Sequence, residues 1–204
     1  LFPVATAFVN SRDRSDTDTS DNTSIASIYI RPLRDDDLYA VATIISDSFA
    51  IGKGWWKWLQ PIFYIGLCED LRSRLSAVNA DRCYLVAAIS LADGGEKIVG
   101  TSEITMRADV VSQVKGQIAY IANVAVCKTW RRKGIARLLL DRSERMAADW
   151  SQQYVYLHVM ADNPSALNLY SQRGYIHLDS DRPWHILPWR RRDRWLFRKS
   201  LTDP

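Results

Sequence analysis

The chain has 204 residues and a mass of 23.3 kDa; with 47% hydrophobic and 25% charged residues it has the profile of a soluble globular protein, long enough to bury the core of one domain. Cys68, Cys83 and Cys127 are widely spaced, odd in number and free of any CxxC pair, which argues against a zinc site or a disulfide framework and fits a reducing compartment. A net charge of +4 is too mild to imply nucleic acid by itself, and no apolar run reaches the length of a bilayer span.

Residues 1–27 carry Asp13, Asp16, Asp18 and Asp21 against Arg12 and Arg14, are rich in Ser, Thr and Asp, and show no periodicity. A disordered acidic lead is expected there, and its aspartates argue against a transit peptide. The sequence begins with Leu rather than Met, which leaves room for an upstream segment. Residues 28–204 are expected to form the domain. Ile28, Ile30 and Leu33 alternate with polar residues as a strand does. Asp35, Asp36 and Asp37 then open a helix at its positive dipole end, with Leu38, Val41, Ile45 and Phe49 on one face. The stretch from Ile51 to Ile65 is dense in tryptophan and fits no period, and Gly66 to Ala80 reads as a second helix. Arg82 to Leu91 and Lys97 to Arg107 read as strands joined into a hairpin at Asp93-Gly94-Gly95.

Gln117 to Cys127 is a nearly unbroken apolar run, as expected in the middle of a sheet. Arg132 to Trp150 follows as an amphipathic helix with Ile135, Leu138, Leu139, Met146 and Trp150 on one face. Tyr154 to Met160 is another strand, so strand–helix–strand predicts a parallel pair with a right-handed crossover, and with the hairpin a mixed sheet. Asp162 or Asn163 caps a short helix with Pro164 in its first turn, ending near Gly174. Tyr175 to Leu178 and Arg194 to Lys199 are the last strands.

Between the apolar strand and its helix lies Arg131-Arg132-Lys133-Gly134-Ile135-Ala136. A helix start offers unpaired amides, Gly134 removes the Cβ that would hold a ligand off, and three cations add charge. Together they suit an anion, best a pyrophosphate; the plain alternative is a basic first turn of a surface helix. Arg131-x-x-Gly134-x-Ala136 resembles the Q/R-x-x-G-x-G/A signature of the GCN5-related N-acetyltransferases. Asn163-x-x-Ala166-x-x-Leu169-Tyr170-x-x-x-Gly174-Tyr175 resembles that family's second signature, in the family's order and spacing. The resemblance covers about Ile28 to Leu201 and is strongest from Gln117 to Tyr175. It implies an α/β (α+β) fold with a central mixed, mostly antiparallel sheet flanked by helices, in which two splayed parallel strands hold acetyl-coenzyme A, with no metal. It also implies roles. Backbone groups of Val124, Ala125 and Val126 would pair with the pantetheine arm. Arg131, and the amides of Arg132, Lys133, Gly134, Ile135, Ala136 and Arg137, would cradle the pyrophosphate. Asn163 would reach the cofactor, and Tyr170 would sit beside the thioester sulfur.

Acetyl transfer needs a neutral amine. A lysine with a pKa of ~10.4 must lose a proton at a cost of roughly 4 kcal/mol near neutrality, and an α-amine of pKa ~7.7–8.0 far less. A base or a water relay is therefore needed, together with an N–H donor for the oxyanion and an acid for the leaving thiolate. By family analogy Val126 N–H is the donor and Tyr170 the acid. His158, in the strand just before the second signature, titrates in a useful range when unperturbed. Tyr156 to Tyr175 resembles the NatE-type acetyltransferase, which has a catalytic His here and a second catalytic Tyr where this chain has Tyr120. Tyr120 and His158 are thus the base or relay candidates; otherwise they are a core aromatic and a satisfied polar strand residue. Glu103 either faces the cofactor or, on the safer reading, is a solvated strand residue, and Cys127 reads as a small buried residue. Trp55, Trp56, Trp58, Phe63 and Tyr64 either shape the acceptor groove or belong to the core.

The segment from Trp184 to Arg198, with Arg190, Arg191, Arg192 and Arg194 among Trp184, Trp189 and Trp195, reads first as a strand end and loop near the acceptor entrance, and only secondarily as a nucleic-acid surface. The expected activity is an acetyl-CoA-dependent N-acetyltransferase acting on protein N-terminal α-amines, lysine ε-amines or both. The alternatives are a small-molecule amine acetyltransferase and a non-catalytic coenzyme A-binding or basic nucleic-acid-binding module. The expected partner is an acceptor protein or peptide amine, with no membrane, and nothing in the pattern specifies an oligomeric state. Likeness to plastid and cyanobacterial members, and the lack of export features, points to plastid stroma (chloroplast) or cytoplasm.

Overall fold

The computed structural model describes residues 6–7, 27–48, 72, 81–92, 94–108, 116–181 and 194–202. Among them are eight strands: β1 (Thr6–Ala7), β2 (Ser27–Pro32), β3 (Arg82–Ser90), β4 (Glu96–Ala108), β5 (Gln117–Val126), β6 (Tyr154–Met160), β7 (Ile176–Asp181) and β8 (Arg194–Ser200). Three α-helices accompany them: α1 (Leu38–Ser48), α2 (Ile135–Asp149) and α3 (Pro164–Gln172). The sheet order is β1-β2-β3-β4-β5-β6-β8-β7. β1–β2, β2–β3, β6–β8 and β7–β8 pair antiparallel, and β5–β6 pairs parallel, so the sheet is mixed. Thr6–Ala7 pair with Ile28 and Tyr29, which puts a short strand inside the segment read as a disordered lead. The tryptophan-dense stretch, the helix expected over Gly66 to Ala80 (Arg72 apart), Phe49, Cys68 and the Trp184 to Asp193 segment lie outside the described residues.

The described residues fall into two compact units, one drawn from Leu1–Ala80, Tyr84–Ser102 and Val124–Leu139, the other from Asp81–Cys83, Glu103–Asn123 and Leu140–Pro204. In the first unit, the helical period of α1 places Leu38, Val41, Ala42 and Ile45 against Leu33, Tyr84 and Val86, with Ile98 packed alongside. Burying each large aliphatic side chain stabilises by about 1.5–3 kcal/mol. The three aspartates do not start α1; Asp35–Asp37 form a 3₁₀ turn ahead of it. Asp37 is drawn there by a partner, not by the dipole alone. Its carboxylate takes a fork from Arg31 (Nη1 at 2.5 Å, Nη2 at 2.9 Å) and the Arg34 backbone N–H at 2.8 Å. Arg31 Nη2 also reaches Glu96 at 2.7 Å, and the Tyr29 hydroxyl donates to Glu96. Arg31 and Asp37 are both buried.

Burial alone would raise the Asp37 pKa, but the bonds from Arg31 and the Arg34 amide outweigh it and hold the carboxyl below its ordinary range. A depressed carboxylate contributes stability above its unfolded pKa of about 3.9 and loses it as pH falls through the lower folded value. Asp37→Asn is expected to lower unfolding free energy by about 2 kcal/mol at pH 7. The gap from wild type should close below a pH of roughly 4. Urea titrations at neutral and acid pH check both, and a gap that stays constant contradicts the assignment.

In the second unit, Ile118, Tyr120, Tyr156 and Leu196 form an apolar cluster with Ala122 beside it. β8 lies between β6 and β7, pairing with β6 from Tyr154↔Ser200 to Met160↔Arg194 and with β7 from Ile176↔Arg198 to Asp181↔Arg194. On α2 the buried stripe is Ile135, Leu139, Leu140, Ser143, Glu144 and Ala147. Leu138, Met146 and Trp150, expected on the inner face, are only half-buried. Glu144 is 8% exposed because four donor atoms converge on it: Lys199 Nζ at 2.6 Å, Arg173 Nη2 at 2.8 Å and Nε at 3.3 Å, and the Tyr175 hydroxyl at 3.0 Å.

Candidate active site

In the first unit the expected anion turn is built as follows. A 3₁₀ turn over Lys128–Trp130 leads into extended Arg131, then Arg132 at φ +65° and Gly134 at φ +79°. These two left-handed residues keep the chain out of the helix until Ile135, so α2 begins three residues later than the sequence suggested. The Gly134 carbonyl accepts from the amides of Arg137 (3.0 Å) and Leu138 (3.2 Å), which makes it the cap. The amides of Ile135 and Ala136 then belong to the first turn, where a helix offers donors without internal acceptors. Among the described residues, a Cβ on Gly134 would meet no protein atom within 4 Å. The glycine is thus required by its φ and not by a crowded interior, and the space beside it is open to a ligand.

The start of α2 is seated on the sheet through Gly100 of β4. A Cβ there would come within 3.1 Å of Ile135 and 3.2 Å of both Leu139 and the Ala125 carbonyl. The cations divide their work. Arg131 is exposed but engaged: its Nε donates to the Val126 carbonyl at 3.1 Å and its Nη2 to Ser48 Oγ at 3.5 Å. Lys133 Nζ lies 4.6 Å from the Trp130 ring centroid. Cys127, expected to be buried, is half-buried, with Sγ 3.5 Å from Thr129 Oγ1.

In the second unit, β5 and β6 pair only at Ala119↔Val155, Tyr120↔Tyr156 and Ile121↔Leu157, although both strands continue. Tyr120, within that pairing, and His158, one residue past its end, meet: Oη and Nδ1 are 2.9 Å apart, with ring centroids 5.8 Å apart and planes at 49°. The two alternatives for Tyr120 meet here, because its ring is a core member and its hydroxyl is on His158. The Arg107 guanidinium lies 4.3 Å from the Tyr120 ring centroid, a cation–π contact that helps fix the ring.

Tyr170, on α3, is 7% exposed and packs edge-on to Tyr175 and against Phe197. Burial, and next the nearby Tyr120 phenol, push its pKa up to about 12, so its hydroxyl keeps its proton across the working range. Asn163 caps α3, its Oδ1 accepting the Ala166 amide at 3.1 Å, with Pro164 at the first helical position. The carbonyl end of the side chain expected to reach a cofactor is thus engaged by the helix.

Two residues of this unit have roles the sequence did not disclose. Glu103, read as solvated, is 1% exposed. Asn123, inside β5, has φ +52°. An L-residue in that region costs roughly 1–2 kcal/mol, and asparagine is among the few types that visit it. Asn123 has an outward sign, as a polar interruption in an otherwise largely apolar strand, whereas Glu103 lies among Thr101, Ser102 and Thr105 and has none.

Comparisons with known proteins bear on the family and the fold. The family described as "Acetyltransferase (GNAT) family" matches residues 52–175. Over 145 residues the chain is 29% identical to the Arabidopsis thaliana protein "GCN5-related N-acetyltransferase 7, chloroplastic", covering 65% of this chain and 52% of that one. The chain therefore spans about half the length of that relative. It is 25% identical over 188 residues to Danio rerio "N-alpha-acetyltransferase 60", covering 85% of this chain and 67% of that protein. The crystal structure of Arabidopsis thaliana NAA60 with a bisubstrate analogue shares the fold, with a TM-score of 0.64 at 22% identity over 85% of this chain and 98% of that one.

Proposed function

We propose, from the premise that the chain belongs to the Acetyltransferase (GNAT) family, that it transfers the acetyl group of acetyl-CoA to a primary amine of a protein, an N-terminal α-amine or a lysine ε-amine. The observation that carries this reading is the Tyr120 Oη···His158 Nδ1 contact at 2.9 Å, in the unit that also holds a protonated Tyr170. A phenol and an imidazole in contact can pass a proton between them, which an ammonium acceptor requires before it can attack. The relative named N-alpha-acetyltransferase 60 supports an α-amine acceptor. The chloroplastic names among the relatives support a plastid stromal location, with the cytoplasm of cyanobacterial-type cells as the alternative.

In this reading Tyr120 and His158 take the acceptor's proton, directly or through water. The Val126 N–H stabilises the oxyanion, and Arg131 braces that residue by holding its carbonyl. Tyr170 gives its proton to the leaving thiolate and is reprotonated as the nitrogen sheds its second proton on becoming the amide. Acetyl-CoA supplies the activated thioester. Its pyrophosphate suits the open space beside Gly134 and the first-turn amides of Ile135 and Ala136, with the backbone of Val124, Ala125 and Val126 along the pantetheine arm. Arg132, Lys133 and Arg137 are all exposed and supply positive charge, and Asn163 contributes from the α3 cap.

Two measurements bear on it. Gly134→Ala forces a Cβ into a left-handed φ at about 1–2 kcal/mol and narrows the anion cradle, so KM for acetyl-CoA should rise roughly tenfold with kcat little changed. Steady-state kinetics check this. The broader test is mass-spectrometric profiling of host proteins after expression in a bacterium, beside a Tyr170→Phe control. New acetyl groups on protein amines that vanish in the control are expected. Binding of acetyl-CoA without any change in the proteome would overturn the protein acceptor and leave a small amine as the substrate.

A further inference from the structure

Asn123 interrupts β5 with a left-handed backbone two residues after the last β5–β6 pair at Ile121↔Leu157. Its carboxamide Nδ2 donates to Glu103 Oε2 at 2.8 Å. Glu103 sits on β4, almost wholly shielded from solvent, with Arg82 Nε 3.5 Å from its Oε1. Arg82 Nε in turn donates to Thr105 Oγ1 at 3.3 Å, so the carboxylate has a cation held beside it. A buried carboxylate is a poor choice for a residue whose only task is to fill a core, because an apolar side chain of like volume does that without desolvating a charge. A strained residue persists only where its surroundings over-determine it. Here one of the bonds that hold it runs from the strained residue's own side chain to the buried carboxylate.

We propose that Glu103 and Asn123 form a latch that fixes the bend in β5 and so directs the backbone of Val124, Ala125 and Val126 toward the thioester arm of the acyl donor. Glu103 is then a positioning residue that acts through Asn123 and not a proton acceptor. The latch explains why β5 stops pairing with β6 where it does: once residue 123 is left-handed, the following peptide groups are rotated out of the ladder's plane. The inference rests on the reading given under "Proposed function", since it assigns a task to the donor-binding backbone.

The decisive comparison is Asn123→Ala against Asn123→Gly in the full chain. Both remove the bond to Glu103, but glycine enters the left-handed region without strain and alanine does not. Asn123→Ala is expected to raise KM for acetyl-CoA at least tenfold, with kcat within about twofold, and Asn123→Gly to stay within about threefold of wild type. Glu103→Ala should raise KM as Asn123→Ala does, and should cost little more once Asn123 is already Gly. Amide exchange at Val124 to Val126, followed by mass spectrometry without any ligand, should speed up in Asn123→Ala and Glu103→Ala, and by less in Asn123→Gly, which is spared the strain. Equal losses in the Ala and Gly variants, or a Glu103 effect undiminished in the Gly background, would overturn the latch. Loss of the acidic limb of the pH–rate profile in Glu103→Gln would overturn it too, by making Glu103 the base. Failure of the wild-type protein to bind acetyl-CoA in calorimetry would sink the functional reading alone, and the exchange experiment would still judge the latch.

Discussion

His158→Ala should lower kcat for a peptide amine by roughly 10²–10⁴-fold while leaving acetyl-CoA affinity nearly unchanged, the span typical of a lost proton-transfer group. Tyr120→Phe should cost less. The double variant should be no worse than His158→Ala, because the 2.9 Å contact makes the pair one relay and residues acting as a unit do not add. The pH dependence separates the roles. A base must be deprotonated to work, so wild-type kcat/KM falls on the acid side and His158→Ala should lose that limb. Tyr170 works in its protonated form, and with its pKa pushed up to about 12 it stays protonated through the alkaline range in which the protein can be assayed. Tyr170→Phe should therefore lower the whole profile without reshaping it. Steady-state kinetics from pH 6 to about 10 test this; additive losses, or an acid limb that survives in His158→Ala, would remove His158 from the relay.

Glu144→Ala should have the largest effect on stability. It leaves the Arg173 guanidinium and the Lys199 ammonium, both largely buried, without their shared counter-charge, and the Tyr175 hydroxyl without its acceptor. Breaking a buried ion pair from one side costs about 3–5 kcal/mol, which for a chain this size is a fall in Tm of roughly 10 °C. Asp141, 2.5 Å from Arg173 Nη2, is half-exposed and takes up only part of the loss. Glu144→Gln keeps an acceptor and should fall between. Thermal denaturation followed by circular dichroism measures both; a Glu144→Ala protein that melts with wild type would mean that solvent reaches these cations.

Elements set by local chemistry were legible in the sequence. The apolar run of β5, the Asn163-Pro164 start of α3 and the Gly134 turn each declare themselves within a few residues, and the strands lie close to where alternation put them. The Tyr120–His158 contact was legible only through a family resemblance, since nothing within either strand tells which residues will sit opposite. Three features escaped for one reason. Glu103 and Glu144 carry the side chains most often found in water, and only distant partners (Asn123 and Arg82 for one, Arg173, Tyr175 and Lys199 for the other) make their burial tolerable. The delayed start of α2 has the same character: Arg132 is a good helix former by composition, and its left-handed backbone overrides that preference.

The placement of β8 between β6 and β7 bears on how the protein is born. A ribosome delivers the chain from its N-terminus, so everything through Asp181 emerges before Arg194–Ser200 exists. During that interval β7 has no strand to join, because its ladder runs to β8. The far edge of β6 stays open for the same time, and Glu144 waits for Lys199. An open edge beside buried-type side chains is a site where nascent chains stick to one another. The second unit should therefore complete its sheet late and in one concerted step, and chaperone dependence should be concentrated in chains stalled before Arg194.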